Sequence, residues 1–243
     1  MVMLTSAMVF AAGLGTRLQP LTNDRPKALV EINGHTLLET TLQKIIQSGI
    51  TEIVVNVHHF SHLVKAFLAT HAFDADIRVS DESDFLRDTA GGLKFAEPLL
   101  HGDHILLHNV DILSDLDLRA LVADHIDHQA LATLAVRQRT TSRYLLFDAE
   151  TLQLGGWQNV VTGEKQVARP MRQELPLGFS GIHVVSREIL RHIPADQKLS
   201  MTPLYLSLAP DHLIRGHRHD SGRWMDVGKY NDVVKLRENG GKF

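Results

Sequence analysis

Arg17 and Lys27 are the first side chains that could do chemistry, and both follow a glycine-bearing stretch, Phe10-Ala11-Ala12-Gly13-Leu14-Gly15-Thr16-Arg17-Leu18. A guanidinium is always charged and offers a planar fork of donors that matches phosphate oxygens. Gly13 and Gly15 let the backbone turn sharply and approach a ligand with no Cβ in the way. The apolar run Ala7-Met8-Val9-Phe10 reads as a buried strand. A loop leaving the carboxyl end of a strand presents N–H groups, from Gly13 to Thr16 here, that suit phosphate. Pro26-Lys27-Ala28-Leu29 brings a second cation. The chemistry these parts suit is the handling of a polyphosphate.

Two common phosphate motifs do not fit. The dinucleotide fingerprint requires a third glycine where this chain has Leu18, and a P-loop requires Gly-Lys followed by Ser or Thr. The longer pattern, with Thr16, Arg17, Pro20, Leu21, Thr22 and Pro26-Lys27, resembles the amino-terminal signature of sugar-1-phosphate nucleotidyltransferases. That resemblance implies a nucleotide lined by Ala11, Ala12, Gly13, Gly15 and Thr16. It also implies that Arg17 and Lys27 bind the triphosphate and act on it in catalysis.

Asp111 follows the strand-like run Ile105-Leu106-Leu107-His108-Asn109. An acid there either caps the turn or faces the crevice where open α/β sheets bind ligands. Asn109-Val110-Asp111 resembles the family's strand-end motif, whose aspartate holds the catalytic divalent cation. Val110 stands where relatives usually have glycine, which is expected to crowd the base or sugar. Asp88-Thr89-Ala90-Gly91-Gly92 is expected before a helix, as a flexible entry or as a second backbone contact for a ligand. The resemblance implies that Thr89 and Gly91 line base and ribose. Leu177-Gly178-Phe179-Ser180-Gly181-Ile182 resembles the Phe-Ser-Gly-Ile segment of the family's uridylyltransferases, which implies that Ser180 and Gly181 face the sugar, and Asn109 at the strand end is expected to face it too. Arg223-Trp224-Met225-Asp226-Val227-Gly228 resembles the family's late Trp-x-Asp-x-Gly element, which implies that Asp226 is the second ligand of a Mg²⁺ ion.

Periodicity supplies the elements that must position these residues. Leu38, Leu42, Ile45 and Ile46 fall on one face of a helix over residues 37–48, with Gly49 as its stop. Ile53-Val54-Val55-Asn56-Val57 is a nearly continuous β-branched run, typical of a strand buried on both faces. Ser61 is expected to cap a helix carrying Leu63, Val64, Phe67 and Leu68. Strands are expected at residues 77–79 and 130–136, and a helix at 116–128. Residues 144–148 and 152–155 read as a hairpin. Residues 163–176 lack a period and read as a lid or mobile loop. Short helices are expected at 186–193 and 202–208, and a closing helix at 229–238. The alternation of strand and helix predicts an α/β fold of Rossmann-like type, with a mixed, mostly parallel central sheet flanked by helices. Residues 1–243 are expected to form one domain without the β-helix tail of longer relatives.

Composition narrows the functional class. Hydrophobic residues make up 44% of the 243, enough for a packed core, and the net charge of −3 gives no basic footprint for nucleic acid. There is no cysteine, which excludes disulfides, thiolate metal sites and a cysteine nucleophile and fits a cytoplasmic location. The apolar start lacks the cations of a signal peptide, and no window is long enough to span a membrane. Among the fifteen histidines, His58-His59, His125 with His128, and His217 with His219 lack the spacing and third ligand of a zinc site.

The expected function is transfer of a nucleotidyl group from a nucleoside triphosphate to a sugar-1-phosphate by a monomer or small homo-oligomer. The short form and the Phe179-Ser180-Gly181 segment are most similar to the N-acetylmuramate-1-phosphate uridylyltransferases of cell-wall recycling. Mannose- or heptose-1-phosphate guanylyltransferases and a choline-phosphate cytidylyltransferase are alternatives within the fold. A catalytically silent nucleotide-sugar sensor is the alternative from another class, and it would have lost the metal acids.

Overall fold

The computed structural model describes residues 5–239. The chain opens with β1 (Thr5–Phe10), a hairpin of β2 (Glu31–Ile32) and β3 (His35–Thr36), and α1 (Leu37–Gln47). Then come β4 (Glu52–Val57), α2 (Ser61–Thr70), β5 (Asp76–Asp81) and α3 (Asp88–Phe95). β6 (His104–Asn109), β7 (Ile112–Ser114), α4 (Leu118–Asp127) and β8 (Ala132–Arg137) follow. Beyond them lie β9 (Arg143–Asp148), β10 (Leu154–Asn159), β11 (Lys165–Val167) and the long β12 (Glu174–Ser186). The chain closes through α5 (Met201–Leu208), β13 (Ile214–Arg218), β14 (Trp224–Asp226) and α6 (Tyr230–Glu238).

The main sheet runs β11-β10-β9-β12-β6-β1-β4-β5, with β8 on β12 and β13 on β8. Its centre, β6-β1-β4-β5, is parallel, and β12 turns antiparallel to β6. From β1 the chain moves out through β4 to β5, then returns to β6 on the opposite side of β1. That reversal opens a crevice at the carboxyl ends of β1 and β6, where open α/β sheets take ligands.

Both faces of the sheet are covered. Alternation along β1 sends Ala7 and Val9 into one core with Leu38, Leu42 and Ile45 of α1 and Val233 of α6. Met8 and Phe10 enter the other core with Leu93 of α3 and Leu204 and Tyr205 of α5. Thr36 caps α1 by accepting from Glu39 N at 3.0 Å, and Asp117 caps α4 through Arg119 N and Ala120 N. No helix among the described residues is long and apolar enough to cross a membrane.

The structure corrects several local expectations. Ser61 is the first residue of α2, and its preceding residue, Phe60, is left-handed with no side-chain cap. Residues 163–176 are not simply a loop: they contain the edge strand β11 and the start of β12. Gly91 and Gly92 lie inside α3 rather than before it. β13, absent from the sequence reading, pairs parallel with β8. Val110 is fully buried in the core beneath the site, so it does not crowd the ligand cleft.

Candidate active site

A cleft of about 420 Å³ lies over the carboxyl ends of β1, β4 and β6. Gly13, Gly15, Thr16, Arg17, Lys27, Thr89, Asn109 and Asp111 all line it, so residues singled out at distant points of the sequence meet in one place. Ala12, Asn56, Leu86, Asp88, Lys198 and Gly228 are also part of its wall.

The glycine loop is held by its own backbone and by two partners. Gly15 is left-handed at φ +66, a conformation that favours glycine, and a Cβ there would meet Thr22 at 3.1 Å and Lys27 at 3.2 Å. Thr22 Oγ1 donates to Gly15 O at 2.9 Å. Ala11 N and Ala12 N both donate to Asn56 Oδ1, at 2.7 and 3.3 Å. The amides of Ala11 and Ala12 are therefore spent inside the protein. Those of Gly13 to Thr16 have no acceptor among the described residues and are free to meet a ligand.

The two acids are joined by a strand pairing. β14 runs antiparallel to β7 with Asp226 opposite Ile112, and Val227 N donates to Asp111 O at 2.8 Å. This register sets the Asp226 carboxylate beside Asp111. Burial against the cleft wall and then the Asp111 charge push the Asp226 carboxyl above its usual range, against the pull of Lys27, Arg17 and Arg139. The outer edge of Asp226 is open to solvent, so this desolvation is partial. Lys27 Nζ donates to Asp111 Oδ2 at 2.6 Å in a largely buried pair. Gly228 allows a further approach: a Cβ there would lie 2.7 Å from Asp226 Oδ1 and 3.1 Å from Arg17 Nη2. Two cations and two carboxylates thus converge at one end of the cleft.

Two adjacent carboxylates fit a hard cation that keeps several waters and takes phosphate oxygens as further ligands. Among the described residues no group of three His, Cys, Asp or Glu side chains could enclose a metal ion, which does not fit a closed zinc site. The Asp111 charge adds to desolvation in raising the Asp226 carboxyl, and a divalent cation would relieve that repulsion.

Beside Asp226 lies an aromatic wall. The Arg139 guanidinium sits 4.5 Å over the Trp224 ring, and its Nη2 donates to Phe179 O at 3.0 Å. Trp224 Nε1 donates to Ser180 O at 2.9 Å. The Ser180 hydroxyl is buried and pairs with His219 Nε2 at 2.7 Å, so it does not open onto the cleft. Gly181 is left-handed at φ +75 and lets Asn109 and Ile112 close in, since a Cβ would meet them at 3.0 and 2.7 Å. Gly91 is likewise buried, and a Cβ on it would lie 2.1 Å from Gln197 O. Of the other cations near this region in sequence, Lys165 is paired with Glu174 at 2.8 Å on β11.

The sequence reading did not single out Asn56, Glu82, Leu86 or Lys198. Asn56 carried a signal, a polar residue within a β-branched strand run. Lys198 carried none, because the segment that brings it to the cleft is placed by tertiary contacts: Leu199 O accepts from Ala90 N at 2.7 Å and Gly91 N at 3.0 Å.

A mixed sheet with a parallel centre, carrying a glycine loop and two acids at its switch point, fits a nucleotide-transferring enzyme, and the chain belongs to the nucleotidyl transferase family, whose model matches residues 6–240. It is 33% identical over 232 residues to the N-acetylmuramate alpha-1-phosphate uridylyltransferase of Caulobacter vibrioides, covering 91% of each chain. It is 28% identical over 233 residues to the mannose-1-phosphate guanyltransferase of Gibberella zeae, covering 93% of this chain and 62% of that one. Its fold is similar to that of the inositol-1-phosphate CTP transferase from T. maritima, with a TM-score of 0.77 and 16% identity over 100% of this chain and 96% of the other.

Proposed function

We propose that the protein transfers a uridylyl group from UTP to N-acetylmuramate 1-phosphate, releasing pyrophosphate. The observation that carries the reaction class is the meeting of Arg17, Lys27, Asp111 and Asp226 at the end of a cleft rimmed by free loop amides. A phosphate monoester is already an anionic nucleophile, so no general base is required. Its oxygen attacks the α-phosphorus, a new P–O bond forms, and the bond to the leaving pyrophosphate breaks.

The difficulty is bringing two anions together, which calls for positive charge and positioning. The Gly13–Thr16 amides and Arg17 hold the triphosphate and the departing pyrophosphate. Lys27 neutralises charge that builds on the α-phosphate. Ala11, Ala12, Thr89 and the buried Gly91 shape the wall against the nucleoside, the last two through α3. Asn109 and the backbone around Ser180 and Gly181 shape the sugar end. Asp111 and Asp226 would hold Mg²⁺, which when bound supplies charge neutralisation for the phosphates.

The choice of uridylyl and muramate rests on the 33% identical relative, which the chain matches over nearly its whole length. Arg139 adds a chemical reason. It is a cation near Asp226, partly desolvated and stacked on Trp224. It suits the lactyl carboxylate that muramate carries and mannose lacks. Val110 adds no reason to prefer a small base, because it faces the core.

The test is kcat/KM for UTP with N-acetylmuramate 1-phosphate against GTP with mannose 1-phosphate. The uridylyl pair is expected to win by at least tenfold, or about 1.4 kcal/mol of transition-state binding. A guanylyl preference of that size would sink the substrate assignment and leave the reaction class.

A further inference from the structure

Beneath the cleft lies a buried carboxylate that phosphate chemistry does not use. Glu82, just past β5, is 0% exposed, and Asn56 on β4 is 2% exposed. Asn56 Nδ2 donates to Glu82 Oε1 at 2.8 Å, and Arg87 N donates to Glu82 Oε2 at 3.1 Å. On its other side Asn56 Oδ1 takes the N–H groups of Ala11 and Ala12. A continuous chain of hydrogen bonds therefore runs from the start of the glycine loop, through Asn56 and Glu82, to the segment that leads into the Leu86–Thr89 wall of the cleft.

We propose that Glu82 is a positioning residue for nucleotide binding, which acts through Asn56 to set the glycine loop and through Arg87 N to set the opposite wall. Donor and acceptor identity sets the orientation of each group in this chain of hydrogen bonds. Both carboxyl oxygens of Glu82 accept N–H groups, so Asn56 meets it through the amide NH₂ and turns the amide oxygen toward the loop. That oxygen absorbs the N–H groups of Ala11 and Ala12 and leaves those of Gly13 to Thr16 pointing to the ligand. The Arg87 guanidinium does not compete for Glu82: it is bound to both oxygens of Asp84 at 2.9 Å and stacks 3.8 Å over Phe95.

Gly92 belongs to the same device. A Cβ at this position would lie 2.7 Å from Glu82 Oε1 and 3.1 Å from Asn56 Nδ2. The second glycine of the α3 pair is thus required by the buried chain of hydrogen bonds, not by contact with a ligand.

This role presupposes the nucleotide site proposed above. Glu82→Gln keeps the shape but leaves one donor, from Asn56 or Arg87, facing an NH₂ group. Asn56→Asp keeps the acceptor for the loop but sets two carboxylates against each other. The double variant, Asn56→Asp with Glu82→Gln, restores every pairing at unchanged net charge. Its new glutamine donates through NH₂ to the new aspartate and accepts from Arg87 N. The aspartate in turn accepts from Ala11 N and Ala12 N.

The experiment measures UTP affinity by calorimetry, with Mg²⁺ and no acceptor, for wild type, Glu82→Gln, Asn56→Asp and the double variant, together with KM for both substrates. Each single variant is expected to weaken UTP at least tenfold with a much smaller change in the acceptor KM. The double variant is expected to return to within about threefold of wild type. The role is overturned if Glu82→Gln binds UTP within twofold of wild type, or if the double variant is no better than the worse single. Should Glu82→Gln fail to fold, the double variant decides: folding with restored binding supports the role, and failure of either overturns it. A wild-type protein that binds none of the four common nucleoside triphosphates would instead refute the nucleotide site itself.

Discussion

Lys27 occupies two relationships that pull on one ammonium group. It is paired with Asp111 at 2.6 Å, and it lines the cleft beside the glycine loop. A flexible stem with three donors can hold the acid in place and still reach a phosphate. Its contribution is expected to grow as charge builds on the α-phosphate. Lys27→Ala should therefore lower kcat and kcat/KM together, by about 100-fold to 1,000-fold on the scale of lost oxyanion donors. Steady-state kinetics with saturating second substrate check this. A raised KM with unchanged kcat would make Lys27 a uniform binding contact.

At the scale of elements, the sequence is legible wherever one period dominates. The β-branched run of β4, the apolar run of β6 and the one-faced pattern of α1 all fold as their periodicity predicts. Arg17 and Asp111 could be singled out because one sits in a glycine loop and the other just past an apolar strand, whereas Lys27 was legible through the longer Pro20 to Pro26-Lys27 signature. The pairing of β7 with β14 could not be read, since it joins two three-residue strands from distant parts of the chain. Only family resemblance pointed to Asp226. β13 was hidden by its charges, yet Arg215 and His217 on it are both bound to Asp124 of α4. β11 is three residues long and exposed along its length, as an edge strand can be, and so reads as loop. Gly91 and Gly92 read as a turn because glycine is a poor helix former. Their reason is close packing against Gln197 O and the Glu82–Asn56 pair, which no local pattern reveals.

The whole molecule carries an acid-sensitive interior. His108 and His219 are pushed down to about 4 and His125 and His183 to about 3, burial being the main cause in each. His183 shares a hydrogen bond with the Tyr205 hydroxyl at 2.6 Å, and His125 pairs with Thr133 at 3.0 Å, all as neutral groups. In the unfolded chain these histidines titrate near 6.5, so below that pH the unfolded state binds protons that the folded state refuses. Stability is then lost as pH falls from about 6.5 toward about 4, by up to ~1.4 kcal/mol per pH unit for each histidine. Glu82, raised by burial, offsets part of this on protonation. Urea midpoints are expected to hold level above pH 7 and to drop steeply between about pH 6.5 and 5. A flat profile across that window would show that the four rings become charged without unfolding.

In the proposed reaction, nucleotidyl transfer depends on two acids brought together across the molecule by a single strand pairing. The most direct measurement is pyrophosphate release from UTP and N-acetylmuramate 1-phosphate across a Mg²⁺ titration, for wild type, Asp111→Asn and Asp226→Asn, with circular dichroism on each protein. Both variants are expected to keep the native spectrum and lose turnover by about 100-fold or more at every Mg²⁺ concentration, the scale of a lost electrostatic contact in the transition state. Near-native turnover by either variant at limiting Mg²⁺ would contradict the joint role of Asp111 and Asp226.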